Sequence, residues 1–333
     1  MDLICATPRG LYCPPGDFYI DPWRPVDFAV ITHGHSDHAR PGSARYLCTQ
    51  QSLPILEKRL GSISAQTLNY GETVERNGVR VSLHPAGHVL GSAQARVEYR
   101  GEVWVASGDY KLEDDGVSAP FEPVRCDVFI TESTFALPIY RWRAQQALAD
   151  EINQWRRENS AQGRASVVYA YALGKAQRIL RHLDASDGPI VCHGAIEPLN
   201  AIHRALGASL PATIALDELD KRHATRAIFI APPSALGSRA LTRLGAYSDA
   251  FASGWMQVRG DRRRRGVDRG FVMSDHVDWP GALAAIAATG AQRVLVTHGF
   301  THTLARYLRE QGLEADEIAG YEARDNDLET DET

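Results

Sequence analysis

The sequence is poor in cysteine. Its 333 residues hold five, Cys5, Cys13, Cys48, Cys126 and Cys192, which are far apart and odd in number, and no Cys-x-x-Cys pair occurs. That usage argues against a disulfide framework and against a thiolate zinc site. No run of 18 apolar residues exists, so no membrane-spanning helix and no membrane partner are expected. Met1-Asp2-Leu3-Ile4-Cys5 lacks a basic stretch followed by an apolar core. No secretion signal is read there, and a reducing cytoplasm is the expected compartment. Charge imbalance is also missing from most of the chain. The formal −5 resides in the stretch 325–333, where Asp325, Asp327, Glu329, Asp331 and Glu332 stand without a base. Residues 323–333 are expected to form an acidic disordered tail. The balanced remainder neither requires nor forbids a polyanionic partner.

What is present is enough apolar sequence for a core: 44% hydrophobic against 23% charged residues, which excludes global disorder. The length suits one large domain or two modest ones. Up to about residue 130, short apolar runs broken by turns read as strands, among them Phe28 to Thr32, Val79 to Leu83, Ala95 to Tyr99, Val103 to Ala106 and Val128 to Thr131. After Glu132 the pattern changes. A helix is read over Tyr140 to Glu158, then strand, helix, strand, helix and strand up to Ile230. Such alternation predicts a parallel sheet with covering helices, inserted over 140–265. Gly270 to Met273, Trp279 to Ala288, Arg293 to Thr297 and Leu304 to Gln311 read as strand, helix, strand and helix, so 1–139 and 266–322 are assigned to one domain of an α/β protein. No internal repeat is found.

One segment carries chemistry. Thr32-His33-Gly34-His35-Ser36-Asp37-His38 places four potential metal ligands directly after an apolar strand. Imidazole nitrogen and carboxylate oxygen suit zinc and similar divalent ions. Alternating His33 and His35 can point one way along an extended chain, and small Gly34 and Ser36 let the backbone crowd a metal. Further ligand types recur at strand ends beside glycine: His88 in Gly87-His88, Asp109 in Gly108-Asp109 and His298 in His298-Gly299. A sheet delivers such residues to a shared edge.

This order of motifs resembles the metallo-β-lactamase fold, an αββα sandwich, over nearly the whole chain. The resemblance implies two divalent ions, zinc or manganese with iron also open. His33, His35 and His88 would bind one, Asp37, His38 and His298 the other, and Asp109 would bridge them. Asp21, ending Phe18-Tyr19-Ile20-Asp21, matches the fold's early aspartate, which supports the ligands rather than binding metal.

Three more segments resemble the β-CASP nucleases of that fold, which cleave DNA or RNA. They are Ile130-Thr131-Glu132-Ser133-Thr134-Phe135, Met273-Ser274-Asp275-His276-Val277-Asp278, and, in the inserted segment, Tyr171-Ala172-Leu173-Gly174-Lys175-Ala176-Gln177-Arg178. The resemblance implies an inserted β-CASP domain capping the site. The chemistry expected is in-line attack on phosphorus by a hydroxide made by two cations. Asp37 would orient the nucleophile, His276 would act as general acid and Glu132 would hold its imidazole. A structural salt bridge is the competing reading of Glu132 and His276. Ser133, Lys175, Arg178 and Ser274 are the candidate phosphate contacts, with Lys175 and Arg178 near a helix start that favours anions. Arg262 to Arg265 is a candidate strand-phosphate patch. Trp142 and Tyr110 are candidate stacking residues, although packing roles are the simpler reading of both.

Within the branch the chain most resembles the bacterial ligase-associated DNA exonucleases. That likeness implies trimming of DNA ends, with the 5′ end favoured, in repair alongside a DNA ligase and a helicase. His298 argues for the main alternative, an RNA 3′-end processing ribonuclease. A small-molecule hydrolase of the same fold is a third reading.

Overall fold

The computed structural model describes residues 2–258 and 266–318. The Arg262 to Arg265 run and the acidic tail lie outside them. Two compact units divide the described chain, one of residues 2–114, 118–141 and 276–318, the other of 115–117, 142–258 and 266–275.

The first unit opens with β1 (Cys5–Thr7), β2 (Gly10–Cys13), β3 (Phe18–Ile20), β4 (Ala29–Val30) and β5 (Tyr46–Thr49), then α1 (Leu53–Leu60) and β6 (Ala65–Leu68). These six strands form one sheet in chain order. Next come β7 (Thr73–Arg76), β8 (Val79–Pro85), β9 (Ala93–Tyr99), β10 (Glu102–Ala106) and β11 (Val128–Ser133). The second unit contributes α2 (Gln145–Ala161), β12 (Ala165–Tyr169), α3 (Lys175–Arg181), β13 (Ile190–Cys192), α4 (Glu197–Ala205), β14 (Ile228–Ala231), β15 (Tyr247–Ser253) and β16 (Arg269–Val272). The chain then returns to the first unit with α5 (Trp279–Thr289), β17 (Arg293–Gly299), α6 (Thr301–Glu310) and β18 (Glu314–Glu317). The second sheet of that unit runs β18-β17-β11-β10-β9-β8-β7.

Strand alternation explains the layers of the first unit. Trp104 and Ala106 of β10, Val128 and Ile130 of β11 and Leu295 of β17 join Leu11, Phe18, Ile20 and Leu47 of the other sheet in one apolar cluster. Their neighbours Val105, Phe129, Val294 and Val296 point the other way and pack on Trp279 and Ile286 of α5 and Leu304 and Leu308 of α6. Both faces of the central strands are therefore buried, as their continuous apolar runs require. The outer face of the first sheet, with Ala29, Tyr46 and Cys48, takes Leu56 of α1.

The second unit holds a five-stranded sheet, order β13-β14-β12-β15-β16, in which every pairing is parallel. The expected boundary at 265 needs correction. β16, assigned from sequence to the returning segment, pairs with β15, Ala252 opposite Phe271, so this unit continues to residue 275. α2 likewise begins at Gln145 rather than Tyr140, so Trp142 precedes the helix. Among the described residues no helix is long and apolar enough to cross a membrane.

Candidate metal centre

The histidine-rich loop leaves β4 and is tied at both ends to one carboxylate. Asp21, held at φ +45°, accepts the Thr32 backbone N–H through Oδ1 at 2.8 Å. Its Oδ2 accepts the Thr32 hydroxyl at 2.5 Å and lies 2.7 Å from His38 Nδ1. That contact leaves His38 Nε2 as the nitrogen facing the site. Arg59 of α1 donates to the carbonyl of Gly34, between His33 and His35. Asp21 is 7% exposed, so these bonds work in a setting that water scarcely screens.

The loop meets Asp109, which follows β10. Asp109 Oδ2 lies 3.4 Å from His33 Nε2, 3.3 Å from His38 Nε2 and 3.7 Å from His88 Nε2. His88 Nε2 and His35 Nδ1 are 3.0 Å apart, and Asp37 Oδ2 is 3.5 Å from His38 Nε2. Ligand atoms of His33, His35, His88 and Asp109 all lie within 4.8 Å of one another, as do those of Asp37, His38 and Asp109. His298, on β17, stands beside these groups without joining either: its ring centroid is 5.5 Å from that of His38 and its Nδ1 is 3.1 Å from Thr297 Oγ1.

Burial sets the charge states. It pushes His33 down to about 4, helped by the positive charge of His38 and opposed by Asp109. Burial, with His33 and His35 adding to it, also holds His88 well below the ordinary imidazole value. For His38 burial acts in the same direction, but the carboxylates of Asp109, Asp37 and Asp21 outweigh it and raise the group well above that value. Burial alone would raise Asp109; His38 and His276 instead drive it well below the carboxylate range.

These residues fit a divalent cation. His33 and His88 are neutral near pH 7, the form in which imidazole binds metal. Among the described residues, His33 Nε2 is buried with no hydrogen-bond partner, an arrangement that costs free energy unless something accepts its lone pair. The donors are nitrogen and oxygen only, the set for zinc, manganese or iron.

Glu132, at the end of β11, adjoins the cluster. Its Oε1 accepts the Tyr110 N–H at 2.9 Å, and its Oε2 accepts the Thr134 hydroxyl at 2.6 Å and lies 2.9 Å from His276 Nδ1. His276 Nδ1 is also 3.9 Å from Asp109 Oδ2. The sequence signals nothing of Tyr110 N–H, since any residue supplies one. Thr32 and Thr134 flank the motifs and could have been read as ligand supports.

The four candidate phosphate contacts have other partners. Ser133, Ser274, Lys175 and Arg178 are all buried. Lys175 Nζ is 3.6 Å and Arg178 Nη1 3.3 Å from Asp275, and Arg178 Nη1 also donates to the Ser274 carbonyl. The start of α3 is closed by its own side chain: Gln177 Oε1 accepts the Gly174 N–H at 2.8 Å. Tyr110 is fully buried against Phe121 and Phe129, with its hydroxyl on Thr131, so it packs the core and cannot stack on a base.

No family model matches the chain. A probable DNA ligase of Opitutus terrae is 31% identical over 325 residues, covering 96% of this chain and 31% of that protein. Endoribonuclease YSH1 of Eremothecium gossypii is 30% identical over 164 residues, 49% of this chain and 20% of that protein. Cleavage and polyadenylation specificity factor 73 of Drosophila melanogaster is 33% identical over 126 residues, 36% of this chain and 17% of that protein. The chain thus spans a third or less of the length of these relatives. A solved structure, a protein of unknown function from Enterococcus faecalis, superposes with a TM-score of 0.54 at 12% identity, over 81% of this chain and 74% of its own, and so shares the fold. Taken with the order of the motifs, these matches make the chain a homologue of the β-CASP nucleases, a branch of the metallo-β-lactamase fold.

Proposed function

We propose that this chain is a metal-dependent nuclease that hydrolyses phosphodiester bonds, a DNA exonuclease that trims ends, the 5′ end favoured, in repair beside a DNA ligase and a helicase. One observation carries the reading: Asp109 sits where two histidine groups meet, and the Glu132–His276 pair lies against the same carboxylate. The layering of the first unit and the parallel sheet of the second support the finer description, an αββα sandwich with an inserted β-CASP domain.

In this reading His33, His35, His88 and Asp109 hold one cation, and Asp37, His38, His298 and Asp109 hold a second. When bound, two such ions neutralise a phosphodiester's charge and lower the pKa of water towards about 7. Asp37, only half-buried, is the carboxylate available to orient the attacking oxygen. His276, with Nδ1 engaged by Glu132, delivers a proton to the leaving oxygen from Nε2. The Glu132 carboxylate fixes that ring and favours its charged form. The same donors accept zinc, manganese or iron, and supply decides among them.

A ligase seals ends that must first be clean, and the relative matched along 96% of this chain is named a probable DNA ligase, which supports DNA as substrate. RNA 3′-end processing is the second reading, favoured by the matches to proteins named endoribonuclease and polyadenylation factor. Digestion of matched end-labelled DNA and RNA strands with added Mn²⁺ or Zn²⁺ decides. Shortening of DNA from one end is expected; equal or faster RNA cleavage would overturn the DNA assignment.

A further inference from the structure

His298 adopts an unusual backbone conformation. Its φ of +48° is left-handed, a region that non-glycine residues rarely occupy without outside support. It also lies in an interruption of the sheet. β11 and β17 pair in parallel with Thr131 opposite Val296 and Glu132 opposite Thr297, but Ser133 is opposite Gly299. His298 is the extra residue of a β-bulge, the device by which a strand re-aims a side chain.

The support comes from Ser133. Its buried hydroxyl has two backbone carbonyls of the bulge as acceptors, that of Thr297 at 3.2 Å and that of His298 itself. Its own carbonyl accepts the Phe300 N–H at 3.0 Å, just past the bulge. Gly299, at φ +74°, leaves room for this approach: a Cβ there would lie 2.5 Å from the Ser133 carbonyl oxygen and from Thr134 Cα. The bulged turn is therefore clasped on both sides of His298 by one residue of the neighbouring strand, while Thr297 Oγ1 contacts the imidazole Nδ1 at 3.1 Å.

We propose that Ser133 is a positioning residue for the cation site, its hydroxyl holding the bulge that presents the His298 imidazole beside His38. The inference rests on the proposed role of His298 as a ligand and adds the residue that aims it. Ser133 acts through the backbone of His298 and touches neither cation nor substrate.

Calorimetric titration of the metal-free full chain with Mn²⁺ tests this without reference to cleavage. Ser133→Ala is expected to weaken one class of Mn²⁺ site about tenfold or more and leave the other near wild type. Ser133→Thr, which keeps the hydroxyl, is expected to restore most of the loss. His298→Ala should weaken the same class, and the double variant should bind no worse than His298→Ala alone, because the two act as one unit. Should Ser133→Ala fail to fold, Ser133→Cys keeps the volume without the strong donor and carries the same expectation. Unchanged Mn²⁺ binding in Ser133→Ala, a loss fully additive to that of His298→Ala, or a His298→Ala variant that binds normally would each overturn the proposal. A chain that shows the expected binding pattern yet cleaves no nucleic acid would sink the nuclease reading and leave this one standing.

Discussion

Glu132 lies 2.9 Å from the Nδ1 of His276, a residue 144 positions later in the chain, and the same carboxylate also accepts the Tyr110 amide and the Thr134 hydroxyl. With its acceptor sites taken from three directions, Glu132 has little freedom, and it passes that rigidity to the imidazole. If His276 gives the leaving oxygen its proton, its removal should matter in proportion to how poor the leaving group is. His276→Ala is expected to lower kcat on a DNA strand by roughly 10²–10⁴-fold, the usual worth of a positioned acid, with KM little changed. On a bis(nitrophenyl) phosphate, whose leaving group needs no proton, the loss should nearly vanish. An equal loss on both substrates would remove His276 from the role of acid.

Gly108 supports the centre through a different contact. It sits at φ +56°, and a Cβ there would lie 2.6 Å from the Oγ1 of Thr32. That hydroxyl bonds to Asp21, which holds His38. Gly108→Ala therefore meets both backbone strain and a displaced threonine, and a stability loss of about 1–3 kcal/mol is expected. Cation affinity should fall too, because Asp21 loses one partner and His38 its fixed orientation. Denaturant midpoints and Mn²⁺ titration check the two effects separately; loss of stability with unchanged Mn²⁺ affinity would show that Thr32 does not govern the ligand.

The candidate ligand positions could be picked out because most lie at or just past the end of an apolar strand beside a turn, as His33 follows β4 and Asp109 follows β10. Side chains at strand ends gather at a sheet edge whatever the strand order, so adjacency in space could be read without knowing the topology. What depended on non-local choices was not legible. β16 is a four-residue strand that could pair in either unit, and only its register with β15 assigns it. Lys175 and Arg178 look the same in sequence whether they face solvent or a buried Asp275. Ser133 was read for its hydroxyl and not for the bulge it stabilises, since a bulge is a property of two strands together.

Arg156 is among the largest fully buried side chains and carries its charge into the interior of the second unit. Fully buried on α2, it donates from Nη1 to the Asp184 carbonyl at 2.8 Å and from Nη2 to the carbonyls of Pro189 and Arg226 at 3.2 Å each. Burial draws its guanidinium down to about 10, still charged at neutral pH. Arg156→Met keeps the apolar stem and leaves three carbonyls without this donor. A loss of about 2–3 kcal/mol is expected, the scale of a buried charged hydrogen-bond group. Arg156→Lys, with one nitrogen in place of three, should recover only part. Denaturation followed by circular dichroism gives the answer, and a near-neutral Arg156→Met would mean that other groups satisfy those carbonyls.

Burial also governs how the metal-free chain responds to acid. His33 is held at about 4 and His88 well below the ordinary value of 6.5, both mainly by removal from water. In the unfolded chain each gains a proton as pH falls through about 6.5, whereas the folded chain resists until much lower pH. The unfolded state therefore binds more protons between about 6.5 and 4, and stability falls with pH across that window. His38 has the opposite sign. Raised well above 6.5, it is protonated in both states below that pH and adds no slope there; its stabilising contribution is lost only as pH rises through the raised value. Each mismatched imidazole adds at most about 1.4 kcal/mol per pH unit. In the presence of a chelator, denaturant midpoints between about pH 6.5 and 5 should decline more steeply for wild type than for His33→Gln, which has no such group to protonate. Parallel lines for the two proteins would show that the buried His33 is not what the folded state defends against acid.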